Sequence, residues 1–208
     1  MVSWTTVIAG YAQCGHGEEA LKLFRQMQVE GMEPDHFIFA TVLGVAAGLT
    51  TLEHGKQIHA CVIRAEFEQH ISIGNSLITM YIRCGNIEDA RTGFDRMPKR
   101  DIISWTAMLS GFVQQGHYEE ALQLFYQMRQ AGMEPELLIF VSALRACGSL
   151  AALEHGRQIH DLLLKLALSL MLLWEVVLLT CMPNVGTLMM HASCLIICQA
   201  EMLSPGLR

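Results

Sequence analysis

Shifted by 101 positions, the chain falls on itself without a gap. Ser3-Trp4-Thr5 aligns with Ser104-Trp105-Thr106, Glu19-Ala20-Leu21 with Glu120-Ala121-Leu122, and Gly31-Met32-Glu33-Pro34 with Gly132-Met133-Glu134-Pro135. Leu52-Glu53-His54-Gly55 likewise falls on Leu153-Glu154-His155-Gly156. Self-similarity at a fixed period restricts the fold to a stacked array, in which neighbouring copies bury each other's apolar faces. A shorter offset of 70 lies inside the first: Tyr11, Cys14, Gly15, Ala20, Phe24 and Met27 superpose on Tyr81, Cys84, Gly85, Ala90, Phe94 and Met97. The repeats therefore divide at 1–35, 36–70 and 71–101, and resume at 102–136 and, in part, at 137–165.

Each segment reads as two helices. In the first, Val2, Ile8 and Tyr11 form an apolar stripe and Gly15 breaks the chain. Ala20, Leu21, Phe24 and Met27 form a second stripe, which Gly31 and Pro34 stop. The twentieth position is always small (Ala20, Gly55, Ala90, Ala121, Gly156), which predicts close approach of two helices there. Trp4 and Trp105, equivalent on the first helix, are expected in the core. The expected fold is an all-α solenoid of helix-turn-helix repeats.

The net charge is −6, from 14 basic and 20 acidic side chains, so no basic field gathers duplex DNA. The seven cysteines form no CxxC pair, and no secretory leader precedes them, which places the chain in a reducing compartment with free thiols. Cys14 and Cys84, equivalent in two repeats, are expected as small packed side chains. Residues 1–20 carry neither a signal peptide nor a transit peptide, and Met1 reads as an internal start. His54 and His59 recur as His155 and His160, five apart, with no carboxylate completing a zinc pattern; they are expected on helix surfaces. Glu18-Glu19 and Glu119-Glu120 open second helices, where negative charge suits the helix dipole. No catalytic group, metal site or cofactor is expected.

Three stretches carry a resemblance. VSWTTVIAGYAQCGHGEEALKLFRQM, LEHGKQIHACVI and GNSLITMYIRCGNIEDARTGFDRMPKRD resemble the three repeat types of the plant pentatricopeptide family, in the subclass that alternates 35-, 35- and 31-residue repeats. The resemblance implies a right-handed superhelical solenoid binding single-stranded RNA, one base per repeat, with other RNA-editing proteins as partners. It also implies a role in organellar RNA editing or processing, in mitochondrion or chloroplast. The fifth and last residues of a repeat then read a base, and the second packs on base faces. On that basis Thr5 with Asp35 favours guanine, Asn75 with Asp101 favours uracil, and Thr106 with Glu136 leans towards purine. Val2, Ile103 and Ser72 are the packing residues. The middle-type repeats, with Ala40 and His70 and with Val141 and Met171, are expected to act as spacers. Read without the resemblance, Thr5, Asn75 and Thr106 are first-turn polar residues and Asp35 and Asp101 helix caps. A helical scaffold for protein partners and a non-functional gene fragment are the alternative readings. Full-length relatives can end in a zinc deaminase-like domain, whose signature is HxE followed by CxxC; no CxxC occurs in these residues, so the signature is not completed.

After Lys165 the pattern stops. Residues 166–208 hold only Glu175, Glu201 and Arg208 as charges. The apolar run from Leu162 to Thr180 is close to membrane-spanning length, but Lys165 and Glu175 interrupt it. A shifted reading frame or mispredicted splicing is the stronger expectation. Codons chosen from those permitted, read two nucleotides along, can encode a run resembling a further short repeat whose Tyr and Cys-Gly fall 101 residues beyond Tyr81 and Cys84-Gly85.

Overall fold

The structure is a computed structural model that describes residues 3–181, with side chains through residue 167. It divides into two compact units, Met1–Gly156 and Arg157–Arg208. Five helix pairs follow in order: α1 (Trp4–Gln13) and α2 (Gly17–Val29), α3 (His36–Leu49) and α4 (Leu52–Arg64), α5 (Ile71–Arg83) and α6 (Ile87–Arg96), α7 (Ile102–Gln114) and α8 (Tyr118–Gln130), then α9 (Leu137–Ser149) and α10 (Leu153–Cys181). A 3-10 turn at Phe67–Gln69 precedes α5, and no strand occurs among the described residues.

Glycine at the turn explains where each hairpin bends. Gly15, Gly85 and Gly116 adopt φ of 81°, 75° and 84° between the two helices, a region open to glycine without penalty. The second and fifth hairpins place Thr50 (φ 52°) and Ala151 (φ 51°) at the corresponding point, each at a cost of about 1 kcal/mol or more. Small residues then let the helices close. Ala20, Ala90 and Ala121 are fully buried, and a Cβ added to Gly55 would run into Met80 Sδ.

In the first unit α1 packs on α3, α3 on α5, α5 on α7 and α7 on α9. Second helices pack on their own partner and on the next first helix, but not substantially on one another. The first helices thus form one continuous layer and α2, α4, α6 and α8 the other. Edge-to-face aromatic pairs recur at the junctions: Phe24–Phe39, Phe94–Trp105 and Phe125–Phe140, with ring centroids 6.1, 5.0 and 5.9 Å apart. Arg100 ties one junction further. Its guanidinium lies 4.7 Å from the Phe94 ring centroid and donates to the carbonyls of Phe94 and Asp95 at the end of α6.

Four expectations fail. Trp4 is only half-buried, whereas the equivalent Trp105 is buried in the core. Tyr11 is 42% exposed, whereas the equivalent Tyr81 is 4% exposed, because Tyr81 is covered from α4 by His59 while no preceding hairpin covers Tyr11 among the described residues. Cys14 is exposed and Cys84 half-buried, so neither is a closely packed small residue; Cys147 is the buried thiol. His54 and His59 are half-buried and not plain surface histidines, while His155 and His160 are exposed.

In the second unit the backbone of α10 continues as helix through 165–166 to Cys181. No helix among the described residues is long and apolar enough to cross a membrane. Residues 182–208, on which most of the shifted-frame reading falls, lie outside the described residues, as does Val2.

Candidate nucleic-acid interface

Charge separates between the two layers. Helices α1, α3, α5, α7 and α9 contain no Lys, Asp or Glu, and their only full charges are Arg83 and Arg145. The acidic excess sits on the second helices and connections, as in Glu18, Glu19, Glu119 and Glu120 of α2 and α8. The net charge of −6 therefore says nothing against an anionic ligand on the first-helix layer.

Along that layer the second residue of successive hairpins stands out from the core. Phe37, Ile103 and Leu138 are 55%, 60% and 58% exposed, and Ser72 is exposed among them. Phe37 and Leu138 escape a reading that sets the middle-type hairpins aside as spacers, although the offset that pairs Val2 with Ile103 pairs Phe37 with Leu138. Phe37 also walls a groove of about 510 Å³ between α1 and α3, alongside Ala9, Ala12, Gly44 and Gly48. An exposed apolar side chain beside an open groove is suited to hold a flat ring face.

The fifth and last residues meet fully in one hairpin. Asn75, on the first turn of α5, donates from Nδ2 to Asp101 Oδ1 at 3.1 Å and Oδ2 at 3.3 Å. Asp101 is the N-cap of α7 in a reciprocal capping box: its Oδ1 accepts from the Ser104 backbone N–H at 2.8 Å, and Ser104 Oγ accepts from the Asp101 N–H at 2.8 Å. Burial alone would raise the Asp101 pKa, but hydrogen bonds from the Ser104 N–H, the Ser104 hydroxyl and the Asn75 amide bring it below the ordinary carboxylate value. Asp101 is thus a carboxylate, which can only accept, and the Asn75 amide must turn its NH2 towards it. Asn75 Oδ1 is left shut from solvent without a hydrogen-bond partner. An unpaired acceptor of this kind costs about 1–3 kcal/mol.

The other two pairs are not joined. Asp35 caps α3, accepting from the Ile38 N–H at 2.8 Å, and no hydrogen bond links it to the half-buried Thr5. Thr106 turns its hydroxyl back onto the Ile102 carbonyl at 2.7 Å, while the exposed Glu136 precedes α9 without a side-chain cap bond. Among the spacers, Ala40 is half-buried and Val141 55% exposed; His70 stacks on His36 with centroids 5.0 Å apart and planes 16° from parallel. Met171 lies outside the described side chains.

On the second-helix side, His59 Nδ1 lies 2.8 Å from Tyr81 Oη, and Nε2 lies 3.7 Å from Glu68. Burial pushes the Tyr81 hydroxyl up to about 12, aided by the Asp89 charge, and burial lowers His59. Among the described residues no group of three or more His, Cys, Asp or Glu could hold a metal ion.

Stacked hairpins with a nearly uncharged first-helix layer define an α-helical repeat protein of the binding-surface kind. The chain belongs to the pentatricopeptide (PPR) repeat family: the PPR repeat family pattern matches residues 1–45 and 100–147, and the PPR repeat matches 75–102. A chloroplastic pentatricopeptide repeat-containing protein of Arabidopsis thaliana is 42% identical over 161 residues, 77% of this chain and 19% of the relative. A putative mitochondrial one from the same plant is 41% identical over 160 residues, 77% of this chain and 26% of the relative. The chain thus spans about a quarter or less of the length of these relatives. Among solved structures, the pentatricopeptide repeat protein PPR10 in complex with an 18-nt RNA element superposes with a TM-score of 0.66 at 21% identity, over 79% of this chain and 25% of that one. The pentatricopeptide domain of Arabidopsis thaliana protein-only RNase P 1 in complex with tRNA gives 0.65 at 14% identity, over 77% and 86%. These likenesses establish the fold.

Proposed function

We propose that the first-helix layer binds single-stranded RNA, one base per hairpin, and that the chain is a stretch of a longer array of the alternating 35-, 35- and 31-residue subclass. The observation that carries this reading is the Asn75–Asp101 pair, whose orphan acceptor Asn75 Oδ1 shares a first turn with the exposed position-two residue Ser72. The amide oxygen, held away from the Asp101 carboxylate, matches in chemical kind the N3–H of uracil. Asp35 with Thr5 presents a carboxylate and a hydroxyl to the N–H donors of guanine, and Thr106 with Glu136 leans towards purine. Val2, Phe37, Ser72, Ile103 and Leu138 hold base faces, so the middle-type hairpins contribute stacking without edge contacts. Organellar transcripts are the proposed ligands, in editing or processing, in keeping with the chloroplastic and mitochondrial names of the relatives. The repeat segment supplies binding and positioning, with no chemistry of its own.

The test is binding of the full chain to a short single-stranded RNA with G and U at the spacing of hairpins one and three, against the same RNA with both bases changed and against Asn75→Ala. Each stacked base contributes about 1–3 kcal/mol. A preference that disappears in Asn75→Ala supports base reading; equal binding to both RNAs by a folded chain refutes it. A second reading, a scaffold for protein, is favoured by one patch: Leu137, Leu138 and Val141 at the start of α9 are 68%, 58% and 55% exposed. Retained RNA binding in Leu138→Ser with loss of a bound editing partner would favour that use of the patch.

A further inference from the structure

We propose that Ser104, a residue of the fourth hairpin, is a positioning residue for base selection by the third: its hydroxyl locks the Asp101 carboxylate, and through it the orientation of the Asn75 amide that tells uracil from cytosine. This deepens the RNA-reading proposal and rests on it.

Uracil and cytosine differ at the Watson–Crick edge by exchange of donor and acceptor. Uracil presents N3–H and O4, cytosine N3 and an exocyclic NH2. A side-chain amide can serve either base, because a half-turn about its last torsion exchanges oxygen for nitrogen. What the amide reads is therefore set by whatever fixes that half-turn. Here it is Asp101, which accepts from Asn75 Nδ2 at 3.1 and 3.3 Å and so leaves Oδ1, shut from solvent, as the unpaired group that a base would have to uncover.

Asp101 is itself held by Ser104. The residue is fully buried. Its N–H donates to Asp101 Oδ1 at 2.8 Å, and its hydroxyl has that same oxygen at 2.8 Å and the Asp101 carbonyl at 3.0 Å as alternative acceptors. The charged, closer carboxylate is the stronger of the two for the single hydroxyl proton. The same Oγ accepts the Asp101 N–H at 2.8 Å, so backbone and side chain of Asp101 are both pinned. An internal control exists in the first hairpin, where Asp35 caps α3 through the Ile38 N–H alone and is not joined to Thr5. The residue at the place of Ser104 there is isoleucine, which has no hydroxyl to give.

Without the hydroxyl, Asp101 keeps one backbone donor and gains rotational freedom, and the amide of Asn75 is released to turn. The expected result is loss of discrimination, not loss of binding. The full chain is titrated with a short RNA carrying U or C opposite the third hairpin. Wild type should prefer U about tenfold, the equivalent of one hydrogen bond to a charged-assisted partner. In Ser104→Ala the ratio should fall below about threefold, largely by improved binding to C, and Ser104→Thr should restore it. A capping role alone would weaken both RNAs equally and keep the ratio, which would overturn the proposal. A second measurement needs no RNA. Hydrogen exchange of the Asn75 side-chain NH2 should be faster in Ser104→Ala than in wild type by about tenfold, and an unchanged rate in a folded variant would also overturn the proposal. If wild type shows no U-over-C preference while exchange is accelerated, the lock stands and the base-reading proposal fails.

Discussion

Gly10 and Gly111 occupy the same place in hairpins one and four, yet alanine at the two sites should shift stability in opposite directions. Nothing lies within 4 Å of a Cβ built on Gly10, so Gly10→Ala keeps the helix gain of about 0.5–1 kcal/mol. At Gly111 the added carbon would stand 2.5 Å from Ile82 Cδ1, 2.7 Å from Cγ1 and 3.1 Å from Cγ2. A β-branched side chain approached at three of its carbons cannot withdraw by turning its tip. Either α5 and α7 part or Ile82 leaves its rotamer, at about 1–3 kcal/mol. Subtracting the helix gain leaves Gly111→Ala destabilising by up to about 2.5 kcal/mol, with a midpoint of roughly 1 kcal/mol. Urea unfolding of the full chain, followed by far-ultraviolet circular dichroism, measures both signs. In an Ile82→Ala background the obstacle is gone, and Gly111→Ala should stabilise as Gly10→Ala does. The same sign at both glycines in wild type, or additivity of Gly111→Ala with Ile82→Ala, would refute the close stacking of α5 on α7.

Phe37→Ala should weaken RNA binding by about 1–3 kcal/mol while leaving the melting temperature in place, since the ring is more than half exposed; fluorescence anisotropy beside a thermal melt separates the two. With two arginines on the first-helix layer, the slope of log affinity against log salt should be about −1.4; a slope steeper than about −4 would place the RNA on the charged second helices instead. Asp35→Ala should cost about 1 kcal/mol of stability through loss of the α3 cap, with Asp35→Ser recovering most of it in the same unfolding assay. Burial keeps the His59 pKa below 6.5 against the raising effect of Glu68 and Asp89, with Arg96 acting in the same direction as burial. As pH falls below 6.5 the unfolded chain takes up this proton before the folded chain does. Stability tied to neutral His59 is complete above that value and declines towards the folded-state pKa. The urea midpoint should therefore drop between about pH 7.5 and pH 5.5 by more in wild type than in His59→Gln.

What the sequence makes legible here is whatever repeats. Gly15, Gly85 and Gly116 announce the same left-handed turn, and Ala20, Ala90 and Ala121 the same buried contact, because each depends on its own hairpin. Tyr11 and Tyr81 share a position but not a fate, since burial of the tyrosine is a property of the neighbour that supplies His59. Net charge misleads for a related reason: it adds two layers that face opposite ways. Phe37 and Leu138 are written plainly in the offset, but attention to the apolar Ala40 and Val141 hides them. The Asn75–Asp101 pair follows from the family pattern, whereas its hold by Ser104 crosses a repeat boundary. The D-x-x-S spacing that encodes it is a capping signal visible in the sequence, and its bearing on Asn75 emerges only when the residues at 75 and 101 are brought to 3.1 Å.

The capping box also bears on how such arrays can be cut and rejoined. Asp101 closes one hairpin and Ser104 opens the next, so a crossover between residues 101 and 102 separates two halves of one lock. A hairpin grafted there with isoleucine in third place, as Ile38 and Ile139 stand in theirs, leaves every residue of the third hairpin intact and still alters what it selects. A crossover after Ser104 carries the lock along. Duplication, domain shuffling and modular design would then exchange words that overlap by three letters, and inheritance of specificity would follow the joint instead of the repeat.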